Sequence, residues 1–221
     1  KKLWIVVRDA ERLDQAPIAG IGRVIRSEDP SLWAGLVDVG GSADLADAAR
    51  SILSPDGEDH QRWKGGQRSV LRLARLSPAD DVPLQIPADA SYLVTGGLGA
   101  LGQKIERQQT ERGAKRVILT SRRPPVEAAA AAIEAVRAKG VDVVVALGDV
   151  AKDEDAQRIV REIAGPSLRG VIHSAGVIDD ALLHDQDRAR FARVSAPKIR
   201  GAWNLHRLTA DLTLDFFVLY G

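Results

Sequence analysis

The chain has 221 residues, and its 31 Lys and Arg residues against 30 Asp and Glu residues give a formal net charge of only +1. This balance excludes the basic footprint expected of a protein that binds nucleic acid or an anionic membrane surface. The absence of Cys excludes disulfides and Cys-based zinc sites, and the four His residues lack a metal-binding spacing, so we predict no metal site. No apolar run approaches the roughly 20 residues of a membrane span.

The first part of the chain alternates short apolar runs with helical patterns. The run 3–7 predicts a buried strand, and 17–26 has apolar residues spaced for one face of a helix. A second strand is predicted over 36–39. Ser42 is predicted to be the N-cap of the next helix. In 70–76 Leu and Arg alternate, which predicts an antiparallel or edge strand.

A change of composition divides the chain. Residues 78–90 contain three prolines and several acidic residues, which is typical of a linker or a surface crossing. We therefore predict a smaller first lobe over 1–77 and a second lobe over 91–221.

The second lobe repeats strand and helix at regular spacing. The predicted strands are 92–94, 117–119, 141–146, 170–173 and 216–220, and the predicted helices are 103–112, 126–139, 153–164 and, in large part, 185–208. This alternation predicts an α/β fold, a Rossmann-type doubly wound parallel sheet with helices on both faces. The first lobe, which also alternates strand and helix, is predicted to be a smaller, truncated Rossmann-like unit.

A glycine-rich segment follows the first strand of the second lobe. Its candidate cofactor-binding residues are Thr95, Gly96, Leu98, Gly99, Leu101 and Gly102. Glycines let the backbone turn sharply and approach a pyrophosphate, and the N-terminus of a following helix favours phosphate. The alternative is a glycine-rich turn without a ligand.

The end of the second strand indicates which dinucleotide would bind. An acidic residue there would accept a hydrogen bond from the ribose 2′-hydroxyl of NAD, but this chain has Ser121 and Arg122. A guanidinium matches phosphate geometry, so the sequence favours NADPH over NADH. The alternative is that Arg122 belongs to a solvated loop.

Two further strand ends contribute candidate cofactor contacts. Asp149 and Val150 follow the third strand, where they could meet an adenine amine, although Asp149 could equally be the N-cap of the next helix. The small residues Ser174, Ala175 and Gly176 would let the nicotinamide end lie against the sheet. We predict that His173, just before them, is a packed or hydrogen-bonded residue rather than a catalyst.

Taken together, these segments resemble the ketoreductase domains of modular polyketide synthases, a branch of the short-chain dehydrogenase/reductase superfamily. The segments that carry the resemblance are 95–102, 120–123, 173–180, 196–206 and 214–220. Upstream, 19–25 and 32–39 look like the catalytically silent structural subdomain of that family. The resemblance thus covers nearly the whole chain and makes 1–77 the structural lobe and 91–221 the catalytic lobe.

The resemblance implies a reaction and its participants. The substrate would be a β-ketoacyl thioester on the phosphopantetheine of an acyl carrier protein, reduced by NADPH to a β-hydroxyacyl thioester. Lys198 matches the family's catalytic Lys, which orients the cofactor ribose and lowers the pKa of a catalytic Tyr. Ile178-Asp179-Asp180 is similar to the Leu-Asp-Asp fingerprint of B-type ketoreductases, which implies that Asp179 and Asp180 take part in stereocontrol and that the alcohol is D-configured. Neighbouring synthase domains, a homodimeric parent synthase and a cytoplasmic location are also implied.

The chain departs from the family pattern in two places. The sequence starts at Lys1, contains no Met and stops as the last predicted strand enters a loop, so we expect the natural protein to continue on both sides. The family's catalytic Ser and Tyr would follow that strand, so we expect the 221 residues alone to be inactive. The helix 103–112 is unusually polar for a Rossmann helix, with Ile105 as its only aliphatic residue. An alternative is therefore a catalytically inactive ketoreductase-like scaffold within a megasynthase. The long first lobe argues against a free-standing dehydrogenase, and the direct join of the lobes predicts no inserted enoylreductase.

Overall fold

The computed structural model describes residues 2–76, 87, 89–99 and 113–221. The chain folds into two compact units, each of which is described by itself. The first comprises Lys1–Asp81 with Ala181–Asp185, and the second comprises Val82–Asp180 with Gln186–Gly221.

The first unit is built on a sheet of four strands. The strands are β1 (Leu3–Arg8), β2 (Trp33–Val39), β3 (His60–Lys64) and β4 (Gln67–Val70), and they lie in the order β1-β2-β3-β4. The first three are parallel, whereas β4 pairs antiparallel with β3. The helices are α1 (Ala16–Glu28) and α2 (Leu45–Leu53), with short 3₁₀ turns at Ser42–Asp44 and Leu183–Asp185.

Two local predictions for this unit need correction, and one of its strands was not predicted. The predicted strand 70–76 ends at Val70, and β3 was not predicted, because its buried Gln61 and its Arg62 break any apolar alternation. The signal for β3 was the pair Gly65-Gly66, whose φ values of 60° and 75° suit the two-residue turn of a hairpin. Ser42 is not an N-cap; it begins a 3₁₀ turn and its side chain makes no capping hydrogen bond.

The second unit is built on a sheet of five parallel strands. The strands are β5 (Ser91–Thr95), β6 (Arg116–Ser121), β7 (Asp142–Leu147), β8 (Leu168–His173) and β9 (Phe216–Leu219), in the order β7-β6-β5-β8-β9. The strand order reverses at β5, since the chain runs outward through β6 and β7 and returns to the other side of β5 with β8. This is the doubly wound Rossmann arrangement, and the predicted fold class is confirmed.

Helices follow β6, β7 and β8 in the described part of this unit. They are α3 (Glu127–Arg137), α4 (Asp153–Gln157), α5 (Arg188–Ser195) and α6 (Ala202–Thr209). The helix begun by α4 continues as a π-helical segment, Arg158–Ala164, and a second π-helical segment, Ala196–Gly201, joins α5 to α6. The predicted helix 103–112 lies outside the described residues.

The sheet of the second unit is buried on both faces. One hydrophobic cluster contains Tyr92, Val94 and Leu119 and includes residues of α3, whereas the other contains Leu93, Ile118 and Leu205 and includes residues of α4 and α6. Buried parallel strands have near-continuous apolar sequences, because successive side chains face two different apolar layers. The central strand β5 is therefore packed on both of its faces.

Candidate active site

The carboxyl ends of β5 and β8 meet where the strand order reverses, which is the usual ligand-binding crevice of an open α/β sheet. Thr95 ends β5 and is fully buried, and its partner in the parallel register is His173, the last residue of β8. The glycine loop starts at the next residue, Gly96. Two of the predicted segments, the glycine loop and 174–176, are thus brought together.

The glycine loop lies so close to the neighbouring backbone that a side chain on Gly96 or Gly97 would clash with it. Gly96 has a φ of 67°, and a Cβ atom placed on it would lie 2.9 Å from the backbone N and Cα atoms of Ala175. A Cβ on Gly97 would lie 2.9 Å from the carbonyl oxygen of Val94. The Gly99 amide donates to the Gly96 carbonyl at 3.0 Å. Glycine is therefore required by geometry at the start of this loop.

The other predicted loop residues divide into two groups. Leu98 packs against the apolar cluster on the α3 side of the sheet, so its side chain anchors the loop while its backbone follows the turn. Leu101 and Gly102 lie outside the described residues.

Ser121 and Arg122 lie where β6 ends. The Ser121 carbonyl accepts from the amide of Gly148 at 2.9 Å, which ties the ends of β6 and β7 together. Arg122 is exposed, and no hydrogen bond or ion pair of its side chain is found within the described part of the chain. With no partner among the described residues, its guanidinium donors could bind an anion.

Asp149 forms a turn after β7 rather than a helix cap. Its carboxylate accepts from the amide of Ala151 at 3.0 Å, two residues on, whereas the cap position of α4 is Lys152. The N-cap alternative for Asp149 is therefore wrong, and the contact is the Asx-turn typical of Asp. The adjacent Val150 is buried, and its carbonyl accepts from the side chain of Asn204 at 3.0 Å.

The segment after β8 is fastened to the end of β5. The hydroxyl of Ser174 donates to the Thr95 carbonyl at 2.6 Å, and the amide of Ser174 donates to the same oxygen at 3.1 Å. Ser174 and Ala175 are half-buried, whereas Gly176 is exposed. The Ser174 hydroxyl is thus used in a structural hydrogen bond. The backbone of Gly176 is accessible from the crevice.

His173 occupies the centre of a buried hydrogen-bond chain. Its Nε2 atom lies 2.8 Å from the carbonyl oxygen of Pro197, and its Nδ1 atom lies 2.6 Å from Oγ1 of Thr95. Because a carbonyl only accepts, Nε2 carries a proton and donates it. Burial lowers the pKa of His173, which favours the neutral ring. Nδ1 then accepts from the Thr95 hydroxyl, and the Thr95 oxygen in turn accepts from the amide of Ala175 at 3.2 Å.

Lys198 lies within the π-helical segment Ala196–Gly201 and reaches back toward the end of β8. A Cβ on Gly176 would lie 3.2 Å from Cε and 3.6 Å from Nζ of Lys198, and the ammonium donates to the backbone carbonyl of Tyr220. Pro197 has no amide proton, so an ordinary i→i−4 hydrogen bond is lost there and the turn can widen. π-helical turns of this kind often occur at functional sites.

Asp179 and Asp180 differ sharply in their surroundings. The carboxylate of Asp179 accepts from Nη1 of Arg190 at 2.6 Å and from Nε of Arg193 at 2.8 Å. It therefore ties the loop after β8 to α5. Asp180 is exposed, and no partner of its carboxylate is found among the described residues. Of the two, Asp180 is the one whose carboxylate remains open to a ligand.

Among the described residues, neither Tyr makes a hydrogen bond to Lys198 through its hydroxyl. Tyr92 is buried in β5 and its ring stacks on Phe216 with centroids 5.6 Å apart. Burial raises the pKa of Tyr92, which opposes phenolate formation. Tyr220 contacts Lys198 through its backbone carbonyl. Within the described ranges no group of His, Asp or Glu residues could hold a metal ion, and no helix is long and apolar enough to cross a membrane.

A surface cavity of about 430 Å³ lies beside α4 and α6. It is lined by Ala151, Lys152, Asp153, Arg200, Trp203, Asn204 and Arg207. None of these residues belongs to the glycine loop or to 174–176. We therefore place the candidate active site at the strand ends rather than in this cavity.

A doubly wound sheet with a glycine loop and a Lys at its switch point defines the Rossmann-type, short-chain dehydrogenase-like class. Comparison with known proteins then gives the family. The KR domain model matches residues 90–221, and the chain belongs to this family, the ketoreductase domains of polyketide synthases. This family is one of oxidoreductases, and domains of this type generally bind a nicotinamide cofactor.

Relatives and solved structures agree with this assignment. The chain is 34% identical over 246 residues to a 6-methylsalicylic acid synthase of Arthrobotrys oligospora, a match that covers 99% of this chain and 14% of the synthase. A 5-methyl-1-naphthoate synthase of Streptomyces sahachiroi is also 34% identical, with coverage of 99% and 14%. Among solved structures, an A-type ketoreductase from a modular polyketide synthase superposes with a TM-score of 0.89 at 33% identity, covering 99% of this chain and 49% of that one. The first ketoreductase of the tylosin synthase gives a TM-score of 0.86 at 32% identity, with coverage of 99% and 49%.

Proposed function

We propose that this chain is the NADPH-binding part of a reductase that converts a β-ketoacyl thioester, carried by an acyl carrier protein, into a β-hydroxyacyl thioester. The observation that supports it most strongly is the backbone-to-backbone contact of Gly96 with Ala175 at the switch point, beside Gly176 and Lys198. The proposal includes the neighbouring domains of a homodimeric, cytoplasmic synthase, as the resemblance implies.

The residues at the switch point fit a dinucleotide. The loop approaches the sheet at Gly96 and Gly97 more closely than a side chain would allow, and such loops let a pyrophosphate approach the backbone. Gly176 leaves its own backbone uncovered beside the Lys198 side chain. NADPH, when bound, supplies the hydride that reduces the β-carbonyl.

Arg122 would select the phosphorylated cofactor. Its guanidinium is exposed and unpaired within the described ranges, and Ser121 beside it adds a hydroxyl. The segment 119–123 contains no acidic residue that would repel a 2′-phosphate, and a guanidinium can bind phosphate through two parallel hydrogen bonds. We expect Arg122 to bind the 2′-phosphate, with Asp149 and Val150 near the adenine.

Lys198 would supply the positive charge of the site. Its ammonium lies beside Gly176 and is oriented by the carbonyl of Tyr220. A cation beside a phenol favours the phenolate and so eases proton transfer to a developing alkoxide. The same ammonium can donate hydrogen bonds to the hydroxyls of a ribose. Lys198 therefore orients the cofactor and tunes the proton donor, and it carries no proton to the substrate itself.

The proposed stereochemistry is B-type, which rests on the Ile178-Asp179-Asp180 segment. The carboxylate of Asp180 is open to a ligand, whereas Asp179 anchors the loop through Arg190 and Arg193. Two of the similar solved structures are A-type and A1-type ketoreductases, so the handedness of the product is a separate question from the reaction itself.

The test is turnover by the synthase polypeptide that contains this chain. A β-ketobutyryl thioester of N-acetylcysteamine serves as substrate, and NADPH consumption is followed by absorbance. Lys198→Met is expected to lower kcat by roughly 100-fold or more, whereas Lys152→Met, a matched change of an exposed Lys, leaves it unchanged. A wild-type polypeptide that neither binds nor oxidises NADPH would favour the scaffold alternative.

A further inference from the structure

We propose that His173 is a positioning residue that fixes the glycine loop and Lys198 in one arrangement, by joining Thr95 to the carbonyl of Pro197. This inference deepens the proposed function and rests on it for the roles of the loop and of Lys198. The contacts themselves are independent of that function.

The first half of the linkage runs to the glycine loop. Thr95 is fully buried, and its hydroxyl has two neighbours, Nδ1 of His173 at 2.6 Å and the amide of Ala175 at 3.2 Å. With a neutral ring, the hydroxyl donates to His173 and accepts from Ala175, so its position is determined in both directions. Since Ala175 is the residue against which Gly96 packs, His173 fixes both sides of the contact that shapes the loop.

The second half of the linkage runs to Lys198. Nε2 of His173 donates to the carbonyl of Pro197, which directly precedes Lys198 in the π-helical segment. The ring also packs on Gly201, where an added Cβ would lie 3.3 Å from Cε1 of His173. The widened turn is therefore held at Pro197 by a hydrogen bond and at Gly201 by contact. A shift of this turn would carry the Lys198 ammonium with it.

The His173 ring can accept from Thr95 and donate to the Pro197 carbonyl at the same time only when it is neutral. A protonated ring would donate from Nδ1 as well, and the Thr95 hydroxyl would then lose its acceptor in a buried place. The charged groups facing the ring include the Lys198 ammonium, which disfavours a second positive charge. The neutral ring, protonated on Nε2, is thus the state that links the two parts of the site.

Two substitutions at this position separate the two halves. Asn has its amide at the distance of Nδ1, so His173→Asn retains an acceptor for Thr95 but does not reach Pro197. Gln extends the amide by one bond, so His173→Gln restores a donor toward Pro197 but leaves Thr95 without the same acceptor. His206→Asn, at an exposed His of α6, is the matched control.

The experiment measures three quantities in the polypeptide that contains this chain: NADPH affinity by fluorescence, kcat and KM with the β-ketobutyryl thioester, and amide hydrogen exchange. For His173→Asn we expect kcat to fall about tenfold or more, with NADPH affinity within about threefold. Exchange should accelerate across Ala196–Gly201. For His173→Gln we expect the reverse, a larger loss of NADPH affinity than of kcat and faster exchange at Ala175. His206→Asn should leave all three unchanged.

The proposal is overturned if both variants lower kcat and NADPH affinity in equal proportion, or if exchange at Ala175 and across Ala196–Gly201 matches the wild type. A general loss of stability is recognised because exchange would then rise throughout the sheet. Failure of the proposed function looks different, since the wild type itself would neither bind NADPH nor reduce the thioester. The exchange measurement would still decide whether His173 links the two segments.

Discussion

A Cβ atom on Gly96 would lie 2.9 Å from the Cα atom of Ala175, so the glycine loop and the segment after β8 meet backbone to backbone. Two neighbouring main chains can approach so closely only where one residue has no side chain. The contact fixes the loop at the switch point of the sheet, where a dinucleotide would bind.

The substitution Gly96→Ala tests this contact. It is expected to lower the free energy of unfolding by about 1 kcal/mol for the positive φ and by a further 1–3 kcal/mol for the clash, and to weaken NADPH binding. Gly140→Ala is the matched control, because Gly140 has a φ of 82° but nothing within 4 Å of an added Cβ. Chemical denaturation and fluorescence titration measure the two effects. Equal losses of stability in the two variants would show that the contact with Ala175 does not matter.

Tyr92→Phe tests whether the buried Tyr has any chemical role. The Tyr92 hydroxyl is buried and has no hydrogen-bond partner among the described residues. Removing an unpaired buried hydroxyl is expected to leave the free energy of unfolding unchanged or to raise it by up to about 1 kcal/mol, with kcat unaltered. Thermal unfolding and turnover are the measurements. A loss of kcat without a loss of stability would mean that Tyr92 takes part in the reaction.

Asp179 and Asp180 are expected to respond differently to substitution. Asp179→Ala leaves Arg190 and Arg193 without their shared carboxylate and should lower the free energy of unfolding by about 1–2 kcal/mol. Asp180→Ala should change it by less than about 0.5 kcal/mol. Equal stabilities of the two variants would rule out the anchoring role of Asp179.

Chiral analysis of the wild-type product is expected to give the D-configured alcohol. The opposite alcohol would rule out the B-type assignment.

The stability of the protein should depend on pH through His173. Burial lowers its folded-state pKa below the ordinary value of 6.5, so the unfolded chain binds a proton more readily. The contribution of His173 to the free energy of unfolding is therefore fully present above about pH 6.5. It is lost as the pH falls toward the folded-state pKa, by at most about 1.4 kcal/mol per pH unit. His60, whose pKa is also lowered by burial, contributes in the same direction.

Denaturation of the wild type and of His173→Gln between pH 5 and 7 isolates this contribution. The free energy of unfolding of His173→Gln is expected to depend less on pH than that of the wild type. His60→Gln should remove only the part of the pH dependence that comes from His60. A wild-type slope that His173→Gln leaves intact would mean that His173 is not held neutral in the folded protein.

The sequence predicted the second unit well because its strands are buried on both faces. Tyr92, Leu93 and Val94 face two apolar layers alternately. Such continuous apolar runs can be recognised as strands from the sequence alone. The strand β3 was missed for the opposite reason. Its Arg62 is held by Asp38 at 3.2 Å and by Glu11 at 2.8 Å, and neither partner is near it in sequence.

The site was predictable only in part. The roles of the glycine loop and of Arg122 are predictions from residue type and position, whereas the role of Lys198 comes from the family resemblance. The role of Asp179 had a visible signal, since Arg190 and Arg193 are three residues apart and share one face of a helix. The contact between His173 and Pro197 joins residues 24 positions apart through a widened helical turn, which no local pattern indicates.

The most direct test of the central claim is a fluorescence titration of the synthase polypeptide with NADPH and, separately, with NADH. We expect NADPH to bind more tightly, and we expect Arg122→Ala to reduce that preference by roughly 10- to 100-fold, while Arg161→Ala, at another exposed Arg, leaves it intact. Equal affinity for both cofactors, or a preference unchanged in Arg122→Ala, would contradict the assignment of Arg122. The absence of binding of either cofactor would contradict the assignment of a cofactor site to the glycine loop.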